Sequence, residues 1–300
     1  MSERSLTDYI QGHAERIERE LAGCLPEEWP VPGVLRESMA YSLLAGGKRM
    51  RPILTIAAAE ACGGSAEAAM PVACAIEMVH TYSLIHDDLP ALDNDDYRRG
   101  RPTNHKVFGE AMALLAGDAL LTHAFYMAAK TARERGVDAG RVLAIIEDLS
   151  VYAGPRGMVG GQVADMQGEQ GLTRLEELDY IHLHKTSDLI VFSLKAGGRI
   201  GGATDAQLEA LELFGTNVGL AFQIQDDILD IVGDEKKLGK QVGSDEKLQK
   251  VTYPYFIGLD GSRAKVERLT ELGKAAIADA GFPKPERLLQ LADYLMKRDH

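Results

Sequence analysis

The chain has 300 residues, of which 45% are hydrophobic and only 6% aromatic, and its formal net charge is -12. This length and apolar content suffice for one sizeable core, and the negative charge argues against binding to nucleic acids or to an anionic membrane surface. Three cysteines, Cys24, Cys62 and Cys74, have no CxxC spacing, so we expect neither a disulfide framework nor a zinc site.

The first twenty residues are charged and lack an apolar core, which is unlike a signal peptide or a membrane anchor. The longest apolar region, residues 111–129, is interrupted by Asp118 and His123. It therefore predicts a buried helix and not a membrane span. We expect a cytoplasmic protein without stable membrane insertion.

Apolar residues recur at helical spacing between glycine and proline breaks, with little period-two alternation. Thr173, with Glu176 three residues on, and Thr204 have the pattern of helix N-caps. No linker rich in Pro, Ser or Gly interrupts the chain, so we expect a single all-α domain spanning residues 1–300. The predicted helices cover residues 5–22, 33–45, 51–62, 66–88, 110–132, 141–153, 158–167, 173–186, 187–200, 205–232, 247–257, 261–280 and 285–297.

Two acid clusters lie within these apolar, helix-compatible stretches: DDLPALD at residues 87–93 and DDILD at residues 226–230. An ionised carboxylate removed from water costs several kcal/mol or more unless a cation compensates it. On a helix, Asp226 and Asp230 project from one face with Asp227 beside them, and like charges at that spacing repel. The clusters therefore predict bound cations.

Oxygen ligands without a nearby thiolate or imidazole pair favour magnesium, which commonly uses one or two carboxylates together with substrate phosphates. Basic residues flank the acid clusters in GGKRMRP at residues 46–52 and in YRRGRP at residues 97–102. A helix start after the two glycines would favour an anion, and arginine forks bind diphosphate well. Each basic segment alone also fits a solvated surface turn.

His80, Leu84 and Asp87 recur at three- and four-residue steps with Ser83 alongside, so one stripe runs from the carboxylates into apolar sequence. Tyr82 lies five residues before Asp87, roughly 7.5 Å along a helix axis. It fits the floor of an elongated apolar pocket, and equally an ordinary core position.

Other chemistries have less support. Glu77 and His80 form one ExxH, the half-motif of di-iron bundles, and a second copy is missing from the sequence. The GxSxG, GxxxxGK[ST] and GxGxxG motifs are also missing from it.

Taken in order, GGKRMRP, VHTYSLIHDDLPALDNDDYRRGRPTNHKVFGEA, LAGDALL, GGQVADM, HKT, FQIQDDILDIVGD and KKLGKQVGSDEKLQKVTYP resemble the trans-isoprenyl diphosphate synthases, most closely the bacterial farnesyl diphosphate synthases. The resemblance extends from about Leu35 to the C-terminus. It implies a bundle of ten or more helices around a deep central cavity, usually a homodimer, which condenses isopentenyl diphosphate with an allylic diphosphate.

The resemblance also implies roles for individual residues. The aspartates of both clusters would hold three magnesium ions together with the allylic diphosphate: Asp87, Asp88, Asp93, Asp226, Asp227 and Asp230. Of these, Asp87, Asp93 and Asp226 would contact metal most directly. The same diphosphate would bind Arg98, Lys185, Lys240 and Lys250. The diphosphate group of isopentenyl diphosphate would be bound by Lys48, Arg51, His80 and Arg99. Thr186 and Gln223, with Lys185, would lie near the developing cation.

The two residues inserted between Asp88 and Asp93, together with Tyr82, resemble the bacterial farnesyl pattern, in which an aromatic residue stops the product at fifteen carbons. Three alternatives stay open. A geranylgeranyl diphosphate synthase would share every charged feature, a class I terpene cyclase would normally replace the second acid cluster, and a regulatory subunit would keep the fold without turnover.

Overall fold

The computed structural model describes residues 5–168, 171, 174–232 and 251–297. Its first half contains α1 (Leu6–Ala22), α2 (Gly33–Leu43), α3 (Met50–Ala61), α4 (Ala66–Asp87), β1 (Tyr97–Arg98), β2 (Arg101–Pro102), α5 (Asn104–Phe108), α6 (Glu110–Arg135) and α7 (Ala139–Ala153). Its second half contains α8 (Met158–Gly168), α9 (Leu175–Ile181), a π-helical turn (His182–Ser187), α10 (Asp188–Gly201), α11 (Asp205–Val232), α12 (Tyr253–Asp279) and α13 (Glu286–Met296). The all-α prediction is confirmed, since the described ranges contain only the two-residue strands β1 and β2 besides helices.

Local sequence explains where several helices begin. The side chains of Ser5, Ser65 and Asp138 accept hydrogen bonds from the backbone N–H three residues on, at 3.1, 3.2 and 3.0 Å. Thr204 and Gln207 exchange reciprocal bonds of 3.0 and 3.3 Å. The predicted cap at Thr204 is thus confirmed as a capping box, whereas Thr173 lies outside the described residues.

Helix α4 is the central element of the bundle, and it packs against α3 and α6. Its residues are buried on nearly every face, as expected for a helix that is apolar all round. Helices α4 and α6 are both long and apolar enough to cross a membrane, but 78% of the apolar window of α4 is buried inside the protein, against 44% for α6. Burial of that kind is typical of the core helix of a soluble protein.

Apolar side chains form two clusters. The larger draws on helices from both ends of the chain, from Ile17 of α1 to Leu295 of α13. In α13 the buried residues Leu288, Leu291, Ala292 and Leu295 follow the helical period. The smaller cluster joins α9, α11 and α12, and it contains Tyr253, which is fully buried. The second acid cluster therefore lies on a helix that contributes to both cores.

Some predicted boundaries were wrong. Residues 173–186 and 187–200 were expected as separate helices, but α9, the π-helical turn and α10 follow one another without a break. Residues 247–257 and 261–280 were expected as two helices, and the break between them is confirmed, since the backbone of Gly258 within α12 is not helical, with a φ of 71°. The short helix α5 and the β1–β2 hairpin were not predicted. Residues 247–250 of the remaining predicted helix are outside the described ranges.

Candidate active site

The first acid cluster occupies the end of α4 and the loop that follows it. Asp87 is the last residue of α4, and the backbone N–H of Asp93 donates to the Asp87 carbonyl at 2.9 Å. Asn94, with a positive φ of 53°, donates its N–H to the Leu89 carbonyl at 3.1 Å. The loop therefore folds back on the helix end and brings Asp93 beside Asp87, although five residues separate them in sequence.

Asp88 has a different environment from Asp87. It is only 3% exposed, and Arg98 of β1 binds it through Nε at 2.7 Å and through its terminal nitrogen at 2.6 Å. Burial raises the pKa of Asp88, and the Arg98 guanidinium opposes that rise. The hairpin that carries Arg98 turns at Arg99 and Gly100, both with positive φ, as in a type I′ turn. Asp88, predicted to bind magnesium, and Arg98, predicted to bind the allylic diphosphate, are thus bound to each other.

Helix α8 closes the site opposite α4. Gln162 donates from Nε2 to Asp87 Oδ1 at 2.6 Å, and Asp165, one turn later, binds Lys185 Nζ at 2.6 Å. A Cβ on Gly161 would lie 2.2 Å from the backbone nitrogen of Lys185, so only glycine allows α8 this close to the π-helical turn. The sequence analysis assigned no role to Gln162 or Asp165. The two glycines before Gln162 were the one sequence signal that another segment could pack closely there.

The π-helical turn carries Lys185 and Thr186. The Ser187 hydroxyl donates to the His182 carbonyl at 3.2 Å within the turn. The Thr186 hydroxyl donates to Gln223 Oε1 at 3.0 Å. Such turns are rare and frequent at functional sites. The Thr186–Gln223 hydrogen bond places the π-helical turn beside α11, which carries the second acid cluster, because Gln223 lies one helical turn before Asp226.

The members of the second cluster face different surroundings. Asp227 is 5% exposed and its Oδ2 accepts from the backbone N–H of Tyr253 at 2.9 Å, with His182 Nε2 at 3.1 Å. The rings of His182 and Tyr253 stack at 5.7 Å. Asp230 is 2% exposed. Asp226 is half-buried. Burial lowers the pKa of Arg51, and the negative charges of Glu77 and then Asp226 oppose that fall. Asp227 therefore anchors the start of α12 in this structure.

Basic residues converge on His80. Burial, and then the positive charges of Arg51, Arg99, Arg98 and Arg49, hold the pKa of His80 well below its ordinary value. A neutral imidazole among four guanidinium groups marks a region of strong positive potential, which suits an anion.

The individual basic side chains differ in exposure and partners. The Nε of Arg51 is buried without a hydrogen-bond partner. Arg99 is exposed and donates to the Gly46 carbonyl, and Lys48 is exposed. Arg49, which was not among the predicted ligands, is 2% exposed and binds Glu77 at 2.6 Å. Arg49 thus has a partner within the core, and Arg51 extends toward the site.

These elements enclose a cavity of about 320 Å³ between α3, α4, α8 and the π-helical turn. Seven of the predicted site residues line it: Arg51, His80, Tyr82, Ser83, Asp87, Lys185 and Thr186. Tyr82 is 6% exposed, and burial raises its pKa to about 12, so its phenol stays neutral. The Ser83 hydroxyl donates to the His80 carbonyl at 2.8 Å. Lys240 and Lys250 lie outside the described residues.

Within the described residues, no three or more His, Cys, Asp or Glu side chains are grouped closely enough to hold a metal ion by themselves. The carboxylates of Asp87 and Asp93 are nevertheless the hard oxygen ligands that magnesium prefers, and magnesium commonly completes its shell with water and phosphate oxygens. The donor set at the end of α4 therefore fits magnesium bound together with a phosphorylated ligand.

Comparison with known proteins identifies relatives over the whole chain. Residues 32–281 match the family model described as polyprenyl synthetase. A farnesyl diphosphate synthase from Geobacillus stearothermophilus is 47% identical over 100% of both chains. A chloroplastic geranylgeranyl pyrophosphate synthase from Catharanthus roseus is 46% identical over 97% of this chain and 81% of its own. A solved geranyltransferase from Helicobacter pylori, complexed with magnesium and isoprenyl diphosphate, superposes with a TM-score of 0.85 at 33% identity and 99% coverage of each chain.

Proposed function

The chain belongs to the polyprenyl synthetase family, and from that premise we propose that it is a prenyltransferase making (2E,6E)-farnesyl diphosphate. Its substrates are isopentenyl diphosphate and the allylic dimethylallyl and geranyl diphosphates. The observation that carries the proposal is the single cavity lined by Asp87, by Arg51 with His80, and by Lys185 with Thr186. It offers a carboxylate for metal and two basic side chains, Arg51 and Lys185, each with a polar neighbour, for two diphosphates.

Each diphosphate has its own set of binding residues. Arg51, His80, Lys48 and Arg99 hold the diphosphate of isopentenyl diphosphate, and the unpartnered Nε of Arg51 supplies a donor there. Lys185 and Arg98, with Lys240 and Lys250, hold the allylic diphosphate. With a separate set of residues for each diphosphate, the two substrates would be held next to each other for condensation.

We propose that the carboxylates of Asp87, Asp93 and Asp226, supported by Asp88, Asp227 and Asp230, would hold three magnesium ions together with the allylic diphosphate. When bound, magnesium neutralises charge on the departing diphosphate. Since Asp227 accepts two hydrogen bonds within the protein, its role is to fix the helix end that presents Asp226.

Two of the proposed binding cations form ion pairs with carboxylates of the protein. Arg98 binds Asp88, and Lys185 binds Asp165. With substrate bound, the two cations would pair with the diphosphate instead, and Asp88 would be available to hold metal. An exchange of this kind avoids unpaired charge in either state.

The reaction proceeds by ionisation of the allylic carbon–oxygen bond, attack of the isopentenyl double bond on the resulting cation, and loss of a proton to the released diphosphate. The Thr186 hydroxyl and the Gln223 amide present dipoles that stabilise the cation. Neither group is a strong nucleophile, so the cation is not trapped. The cavity must exclude water, because hydrolysis would otherwise compete.

Tyr82 forms the floor that stops the product at fifteen carbons. Its ring is buried and lines the cavity. The similarity to a geranylgeranyl pyrophosphate synthase keeps a twenty-carbon product as the alternative. The non-enzymatic alternative is a regulatory subunit that forms no product, so product formation by the purified protein distinguishes the two.

We propose further that residues 1–300 form one domain, since the larger core joins α1 with α13. The protein is a cytoplasmic homodimer that binds neither nucleic acid nor, stably, the membrane.

The test is an assay of purified protein with magnesium, labelled isopentenyl diphosphate and each of three allylic primers, followed by product sizing. We expect fifteen-carbon product from the five- and ten-carbon primers and little extension of the fifteen-carbon primer. Efficient extension of the last would establish the twenty-carbon alternative, and no incorporation with any primer would contradict the proposal.

A further inference from the structure

Helices α4 and α6 approach each other closely at Gly117. A Cβ on this residue would lie 2.1 Å from His86 Nε2, 2.5 Å from Cδ2 and 2.9 Å from Cε1. These three atoms form the outer edge of the imidazole, so the ring rests directly on the α6 backbone. Gly117 is a buried residue in the middle of a 26-residue helix, where alanine is intrinsically favoured over glycine. The ring of His86, and not the backbone conformation, is therefore what requires glycine.

Three contacts fix the His86 ring in this position. Nε2 lies 3.0 Å from the Leu114 carbonyl, and because a carbonyl can only accept, Nε2 carries the proton and donates. Asp118 Oδ1 lies 4.0 Å from the same nitrogen. On the other side, the Tyr82 ring meets His86 edge to face at 5.6 Å. His86 is thus held between the α6 backbone and Tyr82.

His86 and Tyr82 are four residues apart on α4, so their side chains lie on the same face, one turn apart. Both line the cavity that contains Asp87. Because the α6 backbone blocks one side of the ring, a ring displaced by a side chain at Gly117 moves away from α6, and Tyr82 and the cavity border it there. The depth of the cavity then depends on how closely His86 can approach α6.

We propose that Gly117 and His86 determine product length together with Tyr82: the absent side chain at Gly117 lets the His86 ring recede, and this sets the space left for the growing prenyl chain. This inference rests on the proposed function, and it deepens it by assigning two specificity-determining residues. Filling the space at Gly117 shortens the product, and removing the ring at His86 lengthens it.

Three variants test the proposal in opposite directions. Gly117→Ala should raise the ratio of ten- to fifteen-carbon product by about tenfold, the low end of what one methylene-sized change in an apolar pocket produces. His86→Ala should instead give twenty-carbon product. The double variant should behave like His86→Ala, because the added methyl group no longer meets a ring. That non-additivity is the signature of direct contact.

Gly33→Ala is the matched control, since a Cβ there would meet nothing within 4 Å; its product ratio should equal that of the wild type. Product ratios are compared at equal conversion, and thermal unfolding confirms that each variant is folded. An unchanged ratio in both single variants, or total loss of turnover in folded His86→Ala, would overturn the role of Gly117 and His86 in product length. The proposed function would still stand if the wild-type protein turns over its substrates. If wild-type protein makes no prenyl product, the proposed function itself fails.

Discussion

Arg98 forms a bidentate ion pair with Asp88 at 2.6 to 3.0 Å, and Asp88 is 3% exposed. Both residues are predicted to hold ligands, one a diphosphate and the other a metal ion. Their mutual contact gives the ligand-free protein a neutral arrangement of the same charges that substrate binding would use. Removing either partner would therefore leave the other without its counter-charge.

Replacing Arg98 tests the structural part of this relationship. Arg98→Met leaves a buried carboxylate without its partner, and we expect the free energy of unfolding to fall by about 3 kcal/mol. Lys106→Met is the matched control, because it breaks the exposed pair with Asp96 at 2.6 Å and should cost less than about 1 kcal/mol. Urea titration of both variants measures the difference. Equal losses would show that burial of Asp88 does not matter.

The hydrogen bond between Thr186 and Gln223 should matter for rate more than for binding. Thr186→Val keeps the side-chain shape and removes the hydroxyl dipole, so we expect kcat to fall by about tenfold to a hundredfold with little change in KM. Thr186→Ser should recover most of the lost rate. Steady-state kinetics with geranyl diphosphate test this. A rise in KM at unchanged kcat would place the hydroxyl in substrate binding instead.

Tyr82→Ala should extend the product from fifteen toward twenty carbons, because it removes a buried ring from the cavity wall. Tyr82→Phe keeps the ring and should leave the product length unchanged. Chromatographic sizing of the products distinguishes them. If both variants keep the wild-type distribution, Tyr82 is not the floor.

The depressed pKa of His80 predicts a dependence of stability on pH. In the folded protein, burial and four arginines keep His80 neutral, whereas in the unfolded chain it protonates below about pH 6.5. The unfolded state then binds more protons, so stability falls as pH decreases. Between pH 7.5 and 5.5, we expect the free energy of unfolding of His80→Asn to fall by about 1 kcal/mol less than that of the wild type. Urea titrations at both pH values measure this, and an equal loss in wild type and His80→Asn would be inconsistent with a neutral His80.

Much of the fold could be predicted because its helices carry local signals. The apolar period of α13 and the capping pair Thr204–Gln207 are both readable from sequence and both present. The acid and basic motifs likewise indicated which residues to examine, and the structure gathers seven of them around one cavity. Their roles stay predictions that the experiments above test.

What could not be predicted depends on contacts between distant segments. The π-helical turn at His182–Ser187 packs against the backbone of Gly161, and nothing in its own residues indicates the extra residue per turn. Gln162 and Asp165 are single polar residues on α8, and their contacts with Asp87 and Lys185 exist only once α8 lies beside α4. The segment GGKRMRP has two arginines, and sequence alone does not show which of them enters the core. Arg49 does so because it binds Glu77, which is 28 residues away.

Release of inorganic diphosphate is the most direct measurement of the central claim, that carboxylates of both acid clusters act through magnesium on an allylic diphosphate. It is measured with geranyl and isopentenyl diphosphates while magnesium is titrated, for wild type, Asp87→Asn, Asp226→Asn and the control Asp260→Asn, whose side chain is 100% exposed. We predict that release requires magnesium, falls by about a hundredfold or more in the first two variants, and is unchanged in the control. Release without magnesium, or full release in both cluster variants, would contradict the claim.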